Sequence, residues 1–318
     1  MKIKYFSTVY SDLQGSPHWL RKMFFLALLL FIPIFGGMMV QSYLYGWARD
    51  AAFGVQTPLA RRVFGNEDGQ LYARGGRLFI VQLLYGLLPF VLVTVAAILM
   101  LPWQLIFEIF QSLGSGTPLK ISSEMSSFAF AQDFFGHVML YTALCALAAL
   151  LALVLEFFSW AGSLRVSIYG SVKAGLQLGA IIAMFKRDFT GILKIFGMSL
   201  LVGLVVSLII GFVTSALSVP FVILATGVVA GMVEAGMTDP AALLTMIAVV
   251  LGIYLLLTVI SCYLAYAGAM LAETLVVRAL GYWARTSLPD LGWPTEAPTP
   301  APANWPAANP PAPGTPTN

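Results

Sequence analysis

Five long apolar runs constrain this chain more than any other feature of its sequence. They extend over Met23–Tyr45, Leu78–Leu101, Phe134–Phe158, Ile195–Leu217 and Ala241–Ala265. Four contain no charged residue, and the third is interrupted only by His137 and by Glu156 near its end. Each reaches the roughly 20 residues that a helix needs to cross the hydrocarbon core of a bilayer. The runs predict an all-α fold, a polytopic integral membrane helical bundle.

The small share of charged residues supports this assignment. Apolar residues make up 59% of the chain and charged residues 10%, whereas soluble domains carry about 25% charged residues. The formal net charge of +3 is too small to indicate a nucleic-acid-binding protein. Cys145 and Cys262 both lie inside predicted spans, so neither a disulfide framework nor a metal-binding pattern is indicated.

The distribution of lysine and arginine predicts which loops face the cytoplasm. Five arginines lie between the first and second runs, and five basic residues lie between the third and fourth. Residues 102–133, by contrast, contain a single basic residue, Lys120, and residues 218–240 contain none. Because cytoplasmic loops are enriched in basic residues, the first two loops are predicted inside and the other two outside. The C-terminus then returns to the cytoplasm, and we expect a multi-pass protein of the cell membrane.

The first apolar run conflicts with this topology, because it too is preceded by basic residues. These are Lys2, Lys4, Arg21 and Lys22. The run contains Pro33, Gly36 and Gly37, and proline removes a helical hydrogen bond while glycine tolerates a reversal. We therefore expect a broken, re-entrant hairpin that turns at these residues, preceded by an N-terminal interfacial segment over residues 1–22. The alternative is one kinked but complete span, which gives five crossings.

A second structural break is predicted at Pro220, at the end of the fourth run. Residues 218–232 are uncharged but too short to cross the bilayer, and they begin with the step Ser218–Val219–Pro220. We expect a half-inserted or interfacial helix here, on the outer side of the membrane.

Short motifs give the chain a family resemblance. They are Leu28–Gly36, Tyr43–Gly46, Gly76–Arg77–Leu78 before the second run, and Val166–Phe189 before the fourth. With these motifs, over about Trp19–Arg285, the chain resembles the DUF4013 family of bacterial and archaeal membrane proteins, which has no established activity. The resemblance implies a membrane-embedded helical domain, placed at residues 23–286 with cytoplasmic amphipathic helices, and supplies no catalytic residues. One departure is Asn66–Glu67–Asp68–Gly69, which lacks the Trp often found before the second span.

The composition changes abruptly after Arg285. Residues 287–318 contain ten of the 18 prolines, with Ala, Thr and Asn between them. Such a segment cannot bury a core, so we predict a disordered, Pro-rich C-terminal tail over residues 287–318.

Three ionisable residues are candidate intramembrane polar groups: His137, Glu156 and Glu273. Such groups are either functional or interfacial. His137 and Glu156 are separated by about 28 Å along a helix, which excludes one shared site. Glu273 is predicted to form a structural ion pair with Arg278 or another inner base. No catalytic, cofactor-binding or metal-binding set is indicated, because no base and nucleophile are predicted to converge.

These observations predict a non-enzymatic membrane protein that organises the membrane or supports a partner complex. Its partners would be the lipid bilayer and a membrane or cytoplasmic protein, and its oligomeric state is left open. The alternative is a transporter or channel-like protein for a small solute, suggested by the breaks at Pro33 and Pro220 and by weak internal repetition.

Overall fold

A computed structural model describes residues 4–55, 57–60, 62–65, 69–99, 128–234 and 240–288. Within these ranges the chain forms helices and connecting loops but no β-strand. The helices are α1 (Tyr5–Gln14), α2 (Trp19–Leu29), α3 (Phe35–Ala52), α4 (Leu71–Leu99), α5 (Phe128–Tyr169), α6 (Val172–Gly175), α7 (Leu178–Arg187), α8 (Phe189–Glu234) and α9 (Pro240–Ser287).

Four of these helices are long and apolar enough to cross a membrane. The crossing stretches are Leu71–Leu99, Val138–Tyr169, Phe189–Gly227 and Ala248–Ser287. They correspond to the four complete spans predicted above, and the all-α polytopic bundle is confirmed. At 1.5 Å per residue, α8 and α9 each extend for about 70 Å, more than twice the roughly 30 Å of the hydrocarbon core. Each must therefore continue well beyond that core.

The chain forms two compact units. One contains Met1–Phe79 together with Ala161–Asn318, and the other contains Ile80–Trp160. In the second unit, the rings of Tyr85 and Phe158 lie with their centroids 6.5 Å apart. The N-terminal segment belongs to the first unit, where Val9 and Leu13 of α1 are fully buried. The described part of this segment, residues 4–22, is thus packed with the rest of this unit.

The first apolar run is divided into two helices. α2 ends at Leu29 and α3 begins at Phe35, with Pro33 in the connecting turn. A Cβ atom added to Gly36 would lie 1.7 Å from the carbonyl oxygen of Leu29, whereas one added to Gly37 would meet no atom within 4 Å. Close approach therefore requires glycine at position 36 only. Neither helix is among the four spanning candidates, and entry of this segment into the membrane from one side stays a prediction.

The break predicted at Pro220 is wrong, because α8 continues as one helix from Phe189 to Glu234 with Pro220 inside it. A proline removes a single intrahelical hydrogen bond. In a helix surrounded by lipid, ending the helix would leave several backbone groups without partners, which costs more. The separate helix expected over residues 218–232 is therefore part of α8.

The protein core is concentrated in what we call the basal layer, which consists of α1, α2, α3, the described part of loop 53–65, and residues 270–288 at the end of α9. Trp283 and Arg278 are its largest fully buried side chains. Ser287 and Leu288 are also fully buried, so the packed structure extends two residues past the boundary predicted at residue 286.

The spanning helices show the opposite pattern. One face of α8 exposes large apolar side chains, namely Leu200, Leu204, Leu208 and Phe212. None of the residues in the most apolar stretch of α9 is buried within the protein. These side chains need a lipid or protein environment outside the chain itself, as expected for helices in a membrane.

Candidate functional site

The centre of the basal layer is a buried arginine. Arg278 of α9 is fully buried, and its Nη2 lies 2.9 Å from Oδ2 of Asp12 in α1. The same carboxylate oxygen accepts a hydrogen bond of 2.9 Å from Arg278 Nε. Arg278 Nη1 donates to the carbonyl oxygen of Trp47 in α3, at 2.6 Å. One guanidinium therefore joins the first helix, the third helix and the end of the last span.

Two aromatic rings complete the surroundings of this cation. The guanidinium carbon of Arg278 lies 4.4 Å from the centroid of the Trp47 ring and 5.2 Å from that of Tyr282. The Tyr282 hydroxyl donates a hydrogen bond to the carboxylate of Asp12. Transferring the charges of Asp12 and Arg278 from water into the protein costs free energy, and the ring faces and hydrogen bonds offset that cost. We call Asp12, Trp47, Arg278 and Tyr282 the arginine lock.

Loop 53–65 is fastened to α3 next to the lock. Trp47 Nε1 donates to the Thr57 carbonyl oxygen at 2.7 Å, and the Thr57 hydroxyl donates to Asp50 Oδ2 at 2.9 Å. Burial raises the pKa of the Asp50 carboxyl, while the Thr57 hydrogen bond and the charge of Arg278 act in the opposite direction. The loop thereby covers a carboxyl group of α3 that lies beside the lock.

The other side of the loop is held by the connection between α1 and α2. The Ser16 hydroxyl accepts a hydrogen bond of 2.9 Å from the Leu59 amide, and Lys22 Nζ donates to the Leu59 carbonyl oxygen at 2.9 Å. Lys22 is only 8% exposed. Lys22, which the sequence analysis used only to assign the side of the membrane, therefore satisfies a buried backbone carbonyl group.

Two further arginines have the same role. Arg74 of α4 is buried, and its Nε donates to the Ser42 carbonyl oxygen at 2.9 Å. Arg165 of α5 is buried, and its Nε donates to the Ala174 carbonyl oxygen at 2.9 Å. Arg74 thereby joins α4 to α3, and Arg165 joins α5 to α6. The sequence analysis counted both among the basic residues of the predicted cytoplasmic loops.

The three candidate polar residues of the spans are divided between the two units, with Glu273 in the first and His137 and Glu156 in the second. His137 and Glu156 both lie on α5, 19 residues apart, and the His137 side chain falls outside the described residues. The Glu156 side chain hydrogen-bonds with Trp160 one turn further on. Glu273 of α9 accepts a hydrogen bond from the Gln41 side chain of α3. Arg278, one of the partners predicted for Glu273, pairs with Asp12.

The chemistry of the lock is that of a structural element. Its carboxylate is neutralised by an arginine, which cannot act as a base because it stays protonated at any ordinary pH. Within the described residues, no group of three or more His, Cys, Asp or Glu side chains could hold a metal ion. The sequence analysis did not single out Asp12; the one available signal was the spacing of Tyr5, Val9 and Leu13, which share the buried face of α1.

A protein-family model described as "Protein of unknown function (DUF4013)" matches residues 25–215, which is more than half of the chain. The chain belongs to the DUF4013 family. No curated protein and no solved structure matches it. The DUF4013 match begins inside α2 and ends inside α8, so it is shorter than the resemblance expected over Trp19–Arg285.

The arginine lock therefore joins residues on both sides of the DUF4013 boundary. Trp47, and likewise the buried bases Arg74 and Arg165, lie within the matched range. Asp12 and Arg278 lie outside it, before and after. In this DUF4013 protein, the segments before and after the matched range therefore meet at Trp47, near the start of the family domain.

Proposed function

We propose that this DUF4013 protein is a non-enzymatic membrane protein that organises or supports a partner complex in the cell membrane, with its basal layer and C-terminus in the cytoplasm. The observation that carries the proposal is the contrast between a locked basal layer and spans whose apolar faces are unoccupied by the chain. A basal layer held together by buried polar contacts, together with spans that expose apolar side chains, suits a platform for other membrane proteins.

The faces of α8 and α9 support this function. Leu204 and Leu208 are 61% and 64% exposed and lie one turn apart, and Phe212 follows one turn later at 76%. Helices associate in membranes through packing and through polar contacts. Such a face is open to a second membrane protein without any rearrangement of the basal layer.

Photocrosslinking tests the platform function directly. A photoreactive amino acid at position 204 or 208 should give one discrete protein adduct in intact cells. The same group at Val202, which is 8% exposed on the other face of α8, should give little or none. Lipid adducts alone at positions 204 and 208 would contradict the proposal.

A small-solute transporter is the second candidate, because the turn between α2 and α3 interrupts an apolar run as the discontinuous helices of transporters do. The purified protein in proteoliposomes should show no saturable flux when a panel of small solutes is tested by vesicle swelling. Flux that is abolished by Gly36→Leu but unaffected by Gly37→Leu would favour the transporter instead.

The proposed topology follows the basic loops. In a variant lacking Cys145 and Cys262, single cysteines at positions 4, 62 and 173 should be protected from an impermeant reagent in intact cells. A cysteine at position 120 should be labelled. Labelling of position 4 together with protection of position 62 would show that the first apolar run crosses the membrane completely.

A further inference from the structure

Helix α7 joins directly to a spanning helix. A single residue, Asp188, separates the last residue of α7 from Phe189, the first residue of α8. Phe189 is 61% exposed, and the apolar stretch of α8 begins with it. The uncharged run of α8 begins at Ile195, about 9 Å further along the helix, so the chain itself holds α7 close to the point where α8 enters the membrane.

One face of α7 is docked on the protein. Ile181 and Met184 are fully buried, and the rings of Phe185 and Trp283 lie 5.9 Å apart. The segment before α7 is also fixed, because Arg165 Nη2 donates to Gln177 Oε1 at 2.9 Å. The orientation of α7 about its own axis is therefore determined by the protein.

A second face of α7, about 110° around the helix from the docked face, is apolar and exposed. Leu178 is 51% exposed and Ile182, one turn later, is 41% exposed. A docked helix that leaves a second apolar stripe uncovered needs another apolar phase against that stripe.

The charges around this stripe have one sign. Lys173, Lys186 and Arg187 are exposed, and residues 172–187 contain no Asp or Glu. The nearest acid, Asp188, is engaged in capping α8, because its Oδ1 accepts a hydrogen bond of 2.8 Å from the Gly191 amide. The surface beside the apolar stripe therefore matches an anionic partner.

We propose that α6 and α7 form an in-plane membrane helix segment that binds the headgroups of anionic phospholipids. Leu178 and Ile182 insert at the level of the acyl-chain boundary, while Lys173 and Lys186 reach the phosphate groups. This is the arrangement that basic amphipathic helices adopt on membranes. The bilayer is the occupant of this face, because α8 brings the stripe to it. The site is the same whether the protein is a platform or a transporter.

The experiment uses the full chain in bilayers and a probe beside the site. Gly179 is exposed, and a Cβ atom there would meet nothing within 4 Å, so Gly179→Cys can carry a fluorophore in a variant lacking Cys145 and Cys262. The bilayers contain trace nitroxide-labelled phosphatidylglycerol or phosphatidylcholine. Quenching by the anionic lipid should exceed quenching by the neutral one several-fold.

The matched variants decide what causes that preference. Lys173→Gln with Lys186→Gln should reduce it strongly, since each base near an anionic surface contributes about fivefold. Arg62→Gln makes the same type of charge change at an exposed base in loop 53–65 and should leave the ratio unchanged. Raising the salt from about 0.1 M to about 1 M should abolish the preference in the unmodified chain, because the Debye length falls from about 10 Å to about 3 Å.

Three results would overturn the proposal. The first is equal quenching by the two lipids in the unmodified chain. The second is a preference that survives the double lysine substitution. The third is a probe that neither lipid quenches, which would place α7 away from the bilayer and leave its stripe to a protein partner.

Discussion

Leu44 and Leu204 have the same side chain and lie in two helices of the same compact unit, yet their surroundings differ completely. Leu44 of α3 is fully buried in the basal layer, whereas Leu204 of α8 is 61% exposed. Both positions are apolar in sequence. The difference shows that an apolar run in this protein indicates an apolar environment, which is either the protein core or lipid. It does not by itself indicate burial within the chain.

Polar contacts distinguish the two regions equally clearly. In the basal layer, side chains bond to distant parts of the chain, as Arg278 does to Asp12 and Lys22 does to the Leu59 carbonyl oxygen. In the described part of α8, the Thr214 and Ser218 hydroxyls bond to carbonyl oxygens of their own helix. Long-range polar contacts therefore hold the basal layer, and substitutions should affect the two regions unequally.

The largest effect is expected from Asp12→Ala. It leaves the fully buried Arg278 without its carboxylate partner, and removal of one partner from a buried pair costs about 3–5 kcal/mol. The free energy of unfolding, measured by denaturant titration in detergent micelles, should fall by about this amount.

The double variant Asp12→Leu with Arg278→Met is the control for Asp12→Ala. It removes both charges, so it should be clearly more stable than Asp12→Ala alone. If Asp12→Ala were as stable as the unmodified protein, the lock would not hold the basal layer together.

Truncation of the two leucines tests the opening comparison directly. Leu44→Ala should cost about 2–5 kcal/mol, because it leaves a cavity in a packed core. Leu204→Ala should change the free energy of unfolding by much less, since lipid can fill the space. Equal losses in the same titration would show that α8 is packed against protein, for example in an oligomer.

Two glycines extend the comparison to helix crossings. A Cβ atom at Gly281 of α9 would lie 2.2 Å from the Ala48 carbonyl oxygen of α3, whereas one at Gly203 of α8 would meet nothing within 4 Å. Gly281→Ala should therefore cost about 1–3 kcal/mol. Gly203→Ala should be neutral or stabilising by up to about 1 kcal/mol, because alanine favours the helix. A neutral Gly281→Ala in a thermal melt would contradict this close crossing.

The smallest effect is expected from the pH dependence of Asp50. Its pKa is raised in the folded protein, chiefly by burial, so the unfolded chain releases this proton at a lower pH. Stability should therefore decrease as the pH rises from the ordinary value of 3.8 through the folded pKa. Asp50→Asn keeps an acceptor for Thr57 and should make the melting temperature less dependent on pH in this window. A steeper dependence in the variant would reverse the sign assigned to Asp50.

Local features of the sequence predicted the helices well. The four spans and the division of the first apolar run at Pro33 depend on properties of short segments. Pro220 shows the limit of this approach, because a proline breaks a helix only where the freed backbone groups find other partners. Along α8 no water is available to supply them if the helix is in the membrane, and the helix continues.

The sequence by itself determined that this chain belongs in a membrane and where its spans lie. The reason is that the free energy of moving an apolar segment from water to lipid depends on the residues of that segment and not on the rest of the chain. Only the tertiary structure decided which charges are buried and with which partners. Asp12 and Arg278 are 266 residues apart, and neither residue is distinctive where it stands in the sequence. Their pairing depends on how α1, α3 and α9 meet, and burial makes each charge require the other.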